Sequence, residues 1–61
     1  GMNYIILQGS DIPSLEAQVR GHIDKGWYVK GGASSFTLEH YEHATERWTT
    51  ETWFMQTMVQ P

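Results

Sequence analysis

The chain has 61 residues, seven acidic against four basic side chains, a net charge of −3 and no cysteine. That length allows one domain, residues 1–61, and the lack of cysteine excludes disulfides and thiolate metal sites. With Arg20, Lys25, Lys30 and Arg47 as the only fixed cations, the sequence lacks the basic footprint that binds a phosphate backbone, so nucleic acid is not an expected partner.

Gly1 ahead of Met2 reads as a scar of tag removal and is left out of the fold. Asn3 to Gln8 predicts the first strand, because Tyr4, Ile5, Ile6 and Leu7 form a continuous apolar run rich in β-branched and aromatic types. Gly9-Ser10-Asp11 ends it. Ser10 and Asp11 are cap candidates and Pro13 suits a first helical turn. A helix is predicted from about Ile12 to Lys25, with Ile12, Leu15, Val19 and Ile23 as its apolar stripe. Gly21 interrupts it, and close approach of another backbone, from the sheet or a second subunit, is the expected reason. Gly26 fits the left-handed position after a helix, with Trp27 folding back over the last turn.

Trp27 to Gly31 predicts the second strand, with Trp27 and Val29 on one face and Tyr28 and Lys30 on the other. Gly31-Gly32 marks a bulge, beyond which Ala33 to Leu38 continues the strand. Residues 39–46 are polar without periodicity and read as a hairpin loop. Arg47 to Gln60 is the third strand, firmest over Thr52 to Val59. Trp53, Met55, Thr57 and Val59 share one face; Thr52, Phe54, Gln56 and Met58 share the other.

These elements give an α+β fold, β-α-β-β, with a three-stranded mixed sheet in the order 1-3-2 and one helix packed on one face. The third strand belongs in the middle because both of its faces carry apolar side chains. A lone helix covers one face of such a sheet. The other face then needs cover, and alternation alone does not say whether it carries Tyr4, Ile6, Tyr28, Phe54 and Met58 or the opposite set. A chain this short buries only ~60% of the surface it exposes when unfolded, so a partner subunit is an expected source of stability. Tyr4, Ile6, Tyr28, Trp48, Phe54 and Met58 are therefore the candidate interface residues. Trp48, at the loop edge, is the expected exposed contact, since tryptophan is enriched at binding hot spots. Trp27 and Trp53 read as core or interface.

Signals for chemistry are weak. His40 and His43 stand near Glu39, Glu42 and Glu46, a spacing that resembles half a zinc site. A closed site needs four ligands at fixed geometry, so a solvated loop is the expected reading and no metal is assigned. His22 reads as a boundary residue beside the apolar stripe. Ser34-Ser35 lacks the strand-turn-helix setting of a nucleophile, and Gly31-Gly32 alone is too little for a phosphate cradle. Asp24 and Glu16 would need a pocket to act as acid and base, and one helix on three strands seldom forms one. No catalytic residue or cofactor is expected, and the chain reads as a non-enzyme.

The strand Tyr4-Ile5-Ile6-Leu7, the Gly26-Trp27 hinge, the Gly31-Gly32 pair and the closing Trp53-Phe54-Met55-Gln56-Thr57-Met58-Val59 resemble a small domain of bacterial and phage proteins, domain of unknown function 1737. The resemblance spans the chain outside Phe36 to Thr50. It implies a fold and a bacterial or phage setting, and no activity. The expected function is thus a small oligomeric protein–protein interaction or accessory module. Its first expected partner is a second copy, and another protein is a further candidate. The alternative is a small-ligand or metal-binding module using the Gly31-Gly32 bend or the His40/His43 loop. No apolar run approaches the ~20 residues of a membrane span, and no basic region opens the chain as in a signal peptide, so a cytoplasmic location is expected.

Overall fold

The structure, a computed structural model, describes residues 2–61; Gly1 lies outside them. Its elements are β1 (Asn3–Gly9), α1 (Ile12–Asp24), β2 (Tyr28–Glu42) and β3 (Arg47–Gln60). The strand order is β1-β3-β2, with β3 antiparallel to both neighbours. The predicted order and central strand are found. The sheet is antiparallel rather than mixed, because β1 and β2 run the same way but never touch: β3 separates them.

The start of α1 follows from its cap. The Asp11 carboxylate accepts a 2.7 Å hydrogen bond from the Ser14 backbone N–H, and Pro13 sits in the first turn, where a missing N–H does no harm. The end is fixed by Gly26 at φ 90°, a conformation in which a Cβ is strained. The turn it makes brings Trp27 N–H within 3.0 Å of the His22 carbonyl and the Trp27 ring edge-on to His22. His22 in turn bonds through Nδ1 to the Gln18 carbonyl at 2.8 Å, which makes it the boundary residue expected. Two glutamines tie helix and chain end to neighbouring carbonyls: Gln18 Nε2 donates to Gln8 at 2.7 Å and Gln60 Nε2 to Lys25 at 3.2 Å.

The core is small. Leu7, Leu15 and Met58 are buried, with Val19, Trp27 and Phe54 packed against them. Ile12 and Ile23, the ends of the predicted stripe, stay half exposed. The helix meets the sheet along its middle turns, and its ends overhang. Gly21 makes no close approach within the chain, since a Cβ there would meet nothing within 4 Å.

β2 and β3 outrun the rest of the molecule. β1 pairs with β3 only from Phe54 to Gln60, so from Phe36↔Trp53 to Glu42↔Arg47 the hairpin is a two-stranded ribbon. Residues 39–42, expected in a loop, are strand, and the turn shrinks to residues 43–46. This stretch hides from a search for periodicity because nothing covers either face of the ribbon, so neither face has to be apolar. The molecule is 48 Å long and 20 by 16 Å across, with a radius of gyration of 15.0 Å. A compact domain of this length has a radius of gyration of about 10.5 Å.

Candidate functional site

The strand register settles which side chains share a face. Ile5 stands opposite Met58, Leu7 opposite Gln56 and Val29 opposite Met58, all on the face that carries the helix. Tyr4 opposite Val59, Ile6 opposite Thr57, and Tyr28 opposite Val59 lie on the reverse side. Past the bulge, Ser34 faces Met55, Phe36 faces Trp53 and Leu38 faces Glu51, so they continue that reverse side. The candidate interface set is therefore split. Tyr4, Ile6 and Tyr28 belong to the helix-free face. Phe54, Met58 and Trp48 do not: Met58 is 0% exposed, Phe54 packs against the core beneath α1, and Trp48, opposite Tyr41, shares their side of β3. Alternation has a period of two, and a shift by one residue exchanges the faces, so the sequence pattern is silent on which face the helix takes.

The helix-free face is long and apolar. Tyr4 is 72% exposed, Tyr28 63%, Ile6 52% and Leu38 51%. Phe36, Trp53, Met55 and Val59 are half-buried between them. Apart from the Glu42↔Arg47 pair that closes the ribbon, its charged side chains are Lys30, opposite Thr57, and Glu51, opposite Leu38.

Near the junction of body and ribbon, β2 breaks register between Lys30 and Ser34. Gly31 takes φ 75°, the left-handed conformation that glycine reaches without strain. Three residues of β2 then oppose the single residue Gln56. The kink turns the Lys30 and Gly31 carbonyls out of the ladder, and Gln56 takes them up. Its Nε2 lies 3.0 Å from the Gly31 carbonyl, 3.4 Å from that of Lys30 and 3.2 Å from that of Thr57, on a side chain only 7% exposed. Two N–H bonds serve three acceptors, so at least one is shared. The predicted bulge is present, and Gln56 is the residue the sequence reading missed. A polar side chain on an apolar strand, opposite a glycine pair, is the signal that could have found it.

Beside the bulge, the helix leaves a groove of about 310 Å³ lined by Ile12, Leu15, Glu16, Val19, Ala33, Phe54 and Gln56. One helix on three strands was expected seldom to form a pocket, and here it does. β2 bends away at Gly31-Gly32 while α1 stays over β1 and β3, and the gap lies between them. Glu16 lines the groove but Asp24 does not, so the proposed acid/base pair is not assembled. Ser34 lies on the opposite face from the groove, facing Met55.

Trp48 is 72% exposed, as expected, and pairs across the ribbon with Tyr41, their ring centroids 5.5 Å apart. His43, in the turn, meets the Tyr41 ring edge-on at 5.0 Å. His40 pairs with Thr49 on the helix-free side of the ribbon. Among the described residues no group of three or more His, Asp or Glu gathers as a metal site. None of the helices described is long and apolar enough to cross a membrane. In comparisons with known proteins, the chain matches no family model, no curated protein and no solved structure.

Proposed function

We propose that this chain is a small, non-enzymatic accessory module of the bacterial or phage cytoplasm that acts by self-association and protein–protein contact. One observation carries the reading: the single chain exposes 4694 Å², whereas a folded monomer of 7.0 kDa exposes about 4,000 Å². The excess, roughly 700 Å², approaches the ~800 Å² that each partner buries in a stable interface. Exposed apolar side chains line the helix-free face at Tyr4, Ile6, Tyr28 and Leu38. Contiguous exposed apolar patches mark interaction sites. The resemblance to domain of unknown function 1737 supports the bacterial or phage setting. Sedimentation equilibrium at micromolar concentration tests the reading. A mass of twice 7.0 kDa, or a higher multiple, is expected; a 7.0 kDa species at every concentration up to 100-fold higher counts decisively against it.

The groove beside the Gly31-Gly32 bend supports a second reading, a site for a small apolar ligand. Its 310 Å³ is at the lower end of the range for ligand pockets, and its walls are mostly aliphatic and aromatic. Melting curves with medium-chain fatty acids and aromatic amines test it, because a ligand of the native state raises the melting temperature. A rise that Val19→Phe abolishes by filling the groove would support it; no rise with any of these compounds removes it.

A further inference from the structure

We propose that the occupant of the helix-free face is a second copy laid antiparallel, with a two-fold axis crossing the strands between the Trp53 and Met55 levels. This rests on the self-association reading and adds the register. Face-to-face sheets allow two simple two-fold arrangements. With the axis along the strands, each level of the sheet meets itself, so Lys30 meets the other Lys30 and Glu51 the other Glu51. With the axis across the strands, the direction reverses and unlike levels meet.

The positions of the charges choose between these arrangements. Lys30 lies at the level of Thr57 on β3, and Glu51 lies six residues away along the same strand, roughly 20 Å at the rise of a β-strand. An axis midway between these levels, at Phe54, carries Lys30 of each copy over the level of Glu51 in the other. Sheets ~10 Å apart and strands ~4.8 Å apart leave about 11 Å between their backbones, a span for two extended side chains. The two-fold makes the contact twice. An axis one level nearer the tip would place Lys30 over His40 instead, and Glu51 over Met55 and Ser34.

The same register gathers apolar groups at the centre. Met55 of one copy meets Trp53 and Phe36 of the other at the centre. Tyr4, Tyr28 and Val59 at the root of one copy cover Thr49 and His40 on the ribbon of the other. Glu42 and Arg47, already paired with each other, project beyond the overlap into solvent. The ribbon, bare in a single copy, gains a covered face from its partner's body.

Charge reversal tests the register in the full chain. Lys30→Glu and Glu51→Lys each place like charges together and are expected to weaken self-association by about tenfold or more. The double variant restores opposite charges and is expected to return to within about threefold of the wild type. Dissociation constants come from sedimentation equilibrium, with circular dichroism confirming the fold of each variant. If the single variants associate as tightly as wild type, or the double variant stays as weak as the singles, the register is wrong while self-association stands. A monomeric wild type removes both.

Discussion

Replacing Gln56 by leucine removes the side-chain donor that reaches the bulge carbonyls while nearly conserving volume. The bond to Gly31 at 3.0 Å is a good one; those at 3.2 and 3.4 Å approach the limit of useful geometry. A buried acceptor left unsatisfied costs about 1–3 kcal/mol. Lys30 and Gly31 are exposed residues, so water recovers part of that loss. The lower half applies, about 1–2 kcal/mol, which for a domain of this size lowers the melting temperature by roughly 5–15 °C. Gln56→Glu separates donor chemistry from shape. Its carboxylate would face three carbonyl oxygens in a buried position, which raises its pKa above the unfolded value of about 4.3. The folded state then binds more protons than the unfolded one, so this variant loses stability as pH rises above about 4. At pH 7 it should melt below Gln56→Leu, and near pH 4, where its protonated carboxyl donates again, above it. Circular dichroism melts at fixed protein concentration decide, since an associating protein melts differently at each concentration. A leucine variant as stable as wild type, or a glutamate variant whose gap to leucine ignores pH, would refute the claim that Gln56 holds the bulge.

Gly21→Ala should stabilise by about 1 kcal/mol, because alanine is the better helix former and the space beyond is empty; an unchanged or lower melting temperature would mean that a partner packs there. Gly31→Ala should destabilise by about 1–2 kcal/mol through its positive φ, whereas Gly32→Ala, with open space and no such conformation, should be near neutral; equal effects in urea titrations would contradict the bulge geometry. Met58→Ala should cost about 2–5 kcal/mol, since Met58 is fully buried. Phe36→Asp, on the helix-free ribbon, should leave the helical signal intact and shift the sedimentation mass toward 7.0 kDa.

Asp11, Pro13, Gly26 and the Gly31-Gly32 pair act through backbone conformation within a few residues, so the cap, the hinge and the bulge were legible from the chain alone. The central place of β3 was legible too, because Phe54, Met55, Met58 and Val59 put apolar groups on both of its faces. What the sequence could not say was which face the helix would take. Both alternating sets are apolar, and only the pairing of Ile5 with Met58, under Leu15, breaks the tie. Nor could it show that residues 39–42 are strand, since a ribbon bare on both sides carries no periodic signature. The groove and the Gln56 clamp arise from elements far apart in the chain meeting at one bend. Local conformational preference is written residue by residue, but the choice of face, the length of the ribbon and the shape of the gap depend on which surfaces touch, and only the tertiary structure decides that.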